Sequence, residues 1–251
     1  MSDNFKPHLF IKNVHTSQEY TTPPTGGNGD SNLPDRNRNA HGNSILAELA
    51  GIWKWHELEA TERKEKGLPV KEGEYLTFTS AENNTLKIES LDSSGAILLN
   101  VNTNKETNQQ IATVYIPEDK KNKLVDKVEK YINTDQDAKP RNQELIEKIE
   151  TVEKTIVDYL WSSPIEFIPK ETAVWCEIWL ATEGEAIDPD INQLKNVCTL
   201  FEIEFLEGVL EFPQRTIFIV KANYDQLNEL IKSFGGIAEM RKTEELNSFW
   251  Y

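Results

Sequence analysis

With 251 residues and 38% hydrophobic content, the chain is long enough for one large domain or two small ones. Its formal net charge of −15, from 42 acidic against 27 basic residues, argues against broad contact with nucleic-acid phosphates, which requires a basic face. No apolar run has membrane-spanning length, no basic-then-apolar leader opens the chain, and two cysteines are too few for a disulfide scaffold. A cytoplasmic protein with buried free thiols at Cys176 and Cys198 is the expectation.

Residues 1–42 have little regular pattern. His8–Ile11 could form a short strand, and Thr21 to Asp35 is rich in proline and glycine, so an extended arm is expected. A helix over 43–66 is capped by Asn43 or Ser44 and carries Ile45, Leu46, Leu49, Ile52, Trp53 and Leu58. Its second half is almost entirely charged and is expected to project into solvent, ending at Gly67-Leu68-Pro69. Residues 73–133 hold a strand at 74–79, a short helix at 86–91, strands at 96–101 and 111–116, and a helix opened by Pro117-Glu118-Asp119. That order is a first ferredoxin-like unit. Residues 142–161, capped by Asn142, place Leu145, Ile146, Ile149, Val152, Ile156, Leu160 and Trp161 at helical spacing. They predict a long helix bridging two strand-rich blocks, with Glu144, Glu147, Glu150 and Glu153 on its solvated side.

Residues 172–251 give the second unit. Val174–Leu180 is a strand, and Asp188-Pro189-Asp190 opens a helix bearing Ile191, Leu194, Val197, Cys198 and Phe201. Strands at 205–212 and 216–222 flank Pro213-Gln214-Arg215. A second amphipathic helix, 224–234, stops at Gly235-Gly236, and 237–241 is the last strand. This is the split βαβ order, four antiparallel strands with two helices on one face. Trp175 and Trp179 share a face of their strand, and packing beneath the helices is the expected place for them, with docking to a partner as the alternative. The chain then runs through a polar spacer into Ser248-Phe249-Trp250-Tyr251. The fold class expected is therefore α+β, two ferredoxin-like units joined by a long helix, with an extended N-terminal arm.

Chemical motifs are sparse. Gly26-Gly27-Asn28-Gly29 lacks the strand and the Lys-Ser/Thr of a phosphate loop. His8, His15, His41 and His56 are scattered without ligand-like spacing, so neither a metal nor a cofactor is expected. His41-Gly42 is followed by Asn43 and lies at a helix start, which makes His41 a structural or partner-facing residue. No Ser/His/Asp triad can be assigned and no catalytic residue is expected.

Several phrases, in order, carry a resemblance. They are Lys6-Pro7-His8-Leu9-Phe10, Glu19-Tyr20-Thr21-Thr22-Pro23, Leu33-Pro34-Asp35-Arg36-Asn37-Arg38-Asn39-Ala40-His41, Tyr75-Leu76-Thr77-Phe78, Ile88-Glu89-Ser90-Leu91, Ala112-Thr113-Val114-Tyr115-Ile116-Pro117-Glu118, Pro140-Arg141-Asn142 and Phe212-Pro213-Gln214-Arg215-Thr216. Together they resemble the N-terminal region of a group of large bacterial subtilisin-like serine peptidases. In that group a catalytic domain follows, and an AAA-type ATPase is commonly encoded alongside. The second unit with its aromatic tail is likewise similar to the propeptide inhibitors of subtilisins. The resemblance implies a non-catalytic pro-region, acting as intramolecular chaperone and inhibitor, with Ser248, Phe249, Trp250 and Tyr251 in the protease cleft. The partner so implied is a subtilisin-like domain, in cis or in trans. The alternative is an adaptor that recognises the ATPase or another protein.

Overall fold

The computed structural model describes residues 33–243 apart from 105, 136–137, 182–190 and 214. Residues 1–32 of the arm expected over 1–42, the helix opening expected at Asp188-Pro189-Asp190 and the tail Ser248–Tyr251 lie outside the described residues. Two four-stranded antiparallel sheets organise the rest. The first contains β1 (Gly73–Ser80), β2 (Ile97–Thr103), β3 (Gln110–Pro117) and β4 (Ile149–Lys154), in the order β2-β3-β1-β4. The second contains β5 (Val174–Ala181), β6 (Glu204–Phe212), β7 (Arg215–Ala222) and β8 (Ile237–Lys242), in the order β6-β7-β5-β8. Numbered within each half, both orders are 2-3-1-4, the ferredoxin-like arrangement, so the two units repeat one topology.

Helix α1 (Arg38–Glu65) begins at Asn37, whose side-chain oxygen accepts from the Ala40 amide at 3.0 Å. It starts five residues before the expected cap because the Asp35-to-His41 phrase is a clasp. Arg36 donates to the Glu147 carbonyl and to Glu150, Arg38 donates to the Thr134 carbonyl, and His41 Nε2 lies 2.9 Å from the Ile146 carbonyl. The first half of α1 buries Ile45, Leu49, Ile52 and Trp53 against α3 (Lys121–Ile132) and the first sheet, with α2 (Ile88–Asp92) alongside. Gly42 permits this approach, since a Cβ there would meet the Ile132 side chain at 2.5 Å. The charged second half does not project freely. His56 and Arg63 are buried, while Trp55 and Leu58 stand in solvent. Arg63 donates to Pro69 O, to Glu229 at 2.7 Å and to the Ser233 hydroxyl at 2.6 Å. Thus α1, rooted on the first unit, ends pinned to α7 (Tyr224–Ser233) of the second.

The long helix expected over 142–161 does not form. In its place stand α4 (Gln143–Ile146), strand β4 and α5 (Val157–Leu160), and β4 completes the first sheet. The helical spacing of Ile149 and Val152 has a different cause. Pairing of β1 with β4 shifts between Thr79 and Ser80, so that Thr79 faces Thr151 while Ser80 faces Ile149. The extra residue, Glu150, turns both Ile149 and Val152 into the same core although they are three apart. The first unit consequently extends to Lys154.

In the second unit α6 (Ile191–Leu200) and α7 cover one sheet face. Leu194, Val197, Cys198, Leu227, Leu230 and Ile231 pack there against Cys176, Ile178, Leu180, Phe218, Val220 and Met240. Each such aliphatic side chain contributes about 2 kcal/mol of burial. Asn223 begins α7 with a reciprocal capping box to Gln226. The phrase Gly235-Gly236 that ends α7 lies against the first unit. A Cβ on Gly235 would come within 2.7 Å of the Tyr115 ring.

Candidate protein-docking face

Period-two alternation divides β5 into two sets. Cys176, Ile178 and Leu180 point under the helices, leaving Trp175, Glu177 and Trp179 on the opposite, open face. The expectation that the two tryptophans pack beneath the helices is therefore corrected: they line the side that α6 and α7 leave bare. The register builds this face row by row. Leu210, Ile217, Trp179 and Glu239 are cross-strand neighbours, as are Ile219, Glu177 and Arg241, and then Glu204, Lys221 and Trp175.

Charged side chains fix the aromatic rings. The Arg241 guanidinium lies 3.9 Å over the centroid of Trp179, and its Nη2 is 2.8 Å from Glu239. Trp179 Nε1 donates to Glu177 at 2.8 Å. On its other flank Trp179 stacks with Phe212, ring centroids 6.3 Å apart and planes 6° from parallel. Lys221 sits 5.9 Å over Trp175 and pairs with Glu204. Stacking and cation–π contacts of this kind contribute about 1 kcal/mol each and hold the rings in one orientation. At the β6 margin Leu206, Leu210 and Phe212 are 48%, 57% and 51% exposed. The bulge between Phe205 and Val209 lies in the same margin. Large apolar side chains gathered on one sheet face, rimmed by ion pairs, form a surface suited to protein contact.

The other sequence-predicted residues fall elsewhere. Ser248, Phe249, Trp250 and Tyr251 are outside the described residues. His41 belongs to the clasp, where burial and the neighbouring Arg36 charge hold its imidazole below its ordinary pKa despite the opposing hydrogen bond to Ile146 O. Through that bond His41 ties α1 to the end of α4 as a structural residue. Cys176 and Cys198 are buried free thiols, each pushed up to about 12 by desolvation and so inert as nucleophiles at neutral pH. Sequence reasoning missed Leu210, Phe212 and Arg241. One signal was available: Glu177 has the parity of Trp175 and Trp179, and a carboxylate in the tryptophan set marks that set as the water-facing one.

No protein-family model and no curated protein sequence matches the chain. Among solved structures, the chain is similar to the acetolactate synthase small subunit from Thermotoga maritima, at 12% identity and a TM-score of 0.22, over 68% of this chain and 92% of that one. It is also similar to an unknown protein from Galdieria sulphuraria, at 10% identity and a TM-score of 0.22, over 64% of this chain and 88% of that one. The ferredoxin-like assignment rests on the strand order and register of the two sheets, not on these likenesses.

Proposed function

We propose that this chain is the non-catalytic pro-region of a subtilisin-like serine protease, in which the second ferredoxin-like unit docks through its open sheet face and presents the C-terminal aromatic tail to the active-site cleft. The observation that carries the reading is the pre-ordered face of Trp179, Phe212, Leu210 and Arg241, borne by the unit from which Ser248–Tyr251 continue. Division of labour follows from physical chemistry. The sheet face supplies contact area, the tail adds an extended segment by main-chain hydrogen bonds, and its aromatic end fills a pocket. A rigid face reduces the ordering cost of binding the tail.

The test is inhibition in trans. The full chain, added to its cognate subtilisin-like catalytic domain, should inhibit peptide hydrolysis. Deleting 249–251 should weaken inhibition at least about tenfold, a loss of about 1.4 kcal/mol. Tyr251→Asp should weaken it likewise, because a charge would enter an apolar pocket. Undiminished inhibition by both variants removes the tail from the mechanism. Binding without any inhibition favours an adaptor role toward an AAA-type ATPase or other protein. For that second reading Trp55 and Leu58, both 58% exposed on α1, are a separate apolar contact point.

A further inference from the structure

In the second sheet β8 is an edge strand, yet its outer edge is occupied by the first unit and the connecting segment. The Ala238 carbonyl accepts from Asn100 Nδ2 of β2 at 2.9 Å. The Met240 carbonyl accepts from the Ser162 amide at 2.9 Å, beside a parallel bridge between Trp161 and Met240. The Lys242 amide donates to Ser163 Oγ at 3.1 Å. At the start of the strand Tyr75 of β1 does two things with one hydroxyl: it donates to the Phe234 carbonyl at 2.8 Å and accepts from the Ile237 amide at 2.9 Å. Tyr75 is fully buried, and its ring packs on Tyr115, which in turn presses on Gly235.

We infer that the first unit is a splint for β8, with Tyr75 and Asn100 as positioning residues that fix the strand leading into the C-terminal segment. An unsupported edge strand frays and offers its free amides and carbonyls to other strands. Here side chains 138 and 162 residues distant in sequence close that edge. The consequence rests on the proposed pro-region reading: the splint sets the lifetime of the inhibited complex by holding the tail's point of departure still. Loosening it should speed dissociation while leaving encounter, which depends on the open face, unchanged.

The variants Tyr75→Phe and Asn100→Ala test this in the full chain, with Tyr159→Phe, whose hydroxyl reaches exposed Glu153, as the control. Amide hydrogen exchange comes first. Residues 237–242 should exchange at least about tenfold faster in Tyr75→Phe and Asn100→Ala, with 112–116 of β3 unchanged and the control like wild type. Dissociation from the catalytic domain should then accelerate by a similar factor at constant association rate. Equal acceleration of exchange in 112–116 and 237–242 reduces Tyr75 to a core residue and overturns the inference, as does unchanged exchange in β8. If wild type fails to bind the catalytic domain, the pro-region reading falls, while the exchange data still decide whether the splint exists.

Discussion

Glu74 lies fully buried at the start of β1, where four donors converge on its carboxylate. Lys71 Nζ is at 2.9 Å, the Tyr75 amide at 2.9 Å, His56 Nδ1 at 3.2 Å and Lys154 Nζ at 3.5 Å. Desolvation alone would raise its pKa, but the His56 hydrogen bond and the Lys71 and Lys154 charges outweigh it and bring the value down to about 2. The Lys71 pKa is lowered as well, because burial outweighs the attraction of Glu74. The pair therefore fixes geometry at the junction of α1, β1 and β4 more than it adds net stability. A carboxyl held below its unfolded value of 4.5 contributes stability that is complete above pH 4.5 and lost as the pH falls toward 2. That contribution is on the order of 3 kcal/mol. Urea unfolding should thus show a stability loss across this window that Glu74→Gln no longer shows. At pH 7 Glu74→Gln should cost about 3–5 kcal/mol, because Lys71 is left buried without a counter-charge. Adding Lys71→Met should restore most of that, and a double variant no better than the single would refute the account of the pair. No local pattern advertises this cluster: His56, Lys71, Glu74 and Lys154 meet only once three elements are assembled.

Among the elements, β4 shows how a bulge disguises a strand. Ile149 and Val152 fit a helix by spacing, yet the β-branched residues Ile149, Thr151 and Val152 favour an extended chain, and that preference prevails once β1 offers an edge. The two-unit repeat, by contrast, was legible, because turn signals and period-two runs recur in the same order in both halves. The role of α1 was half legible. Its apolar first half announced its packing, whereas Arg63 looked like part of a solvated end and is instead buried, bonded to α7 and 5.7 Å over the Phe201 ring. Arg63→Ala should destabilise the chain by about 2–4 kcal/mol in urea unfolding, by stranding Ser233 and part of Glu229. Gly235→Ala should cost about 1–3 kcal/mol by driving a methyl group into Tyr115. Should Gly235→Ala unfold like wild type, the contact between the α7–β8 corner and the first unit is looser than described.

At the scale of the whole molecule, two repeated sheets serve different ends. The first is covered by α1 and α3 on one face and lends Tyr75, Leu99 and Tyr115 to the core of the second. Among the described residues, the second keeps one face bare of helices. Its two edges are managed differently, β8 by the splint and β6 by a bulge and the glutamates Glu204, Glu207 and Glu211, which discourage indiscriminate strand pairing. The open aromatic face is thus the surface through which the proposed docking runs. The most direct measurement is the dissociation constant of the full chain for the proposed partner, a cognate subtilisin-like catalytic domain inactivated at its serine, by titration calorimetry. Wild type should bind, and Trp179→Ser with Phe212→Ser should weaken binding by about a hundredfold, roughly 2.7 kcal/mol, with circular dichroism unchanged. Equal affinity of the folded double variant would contradict docking through this face.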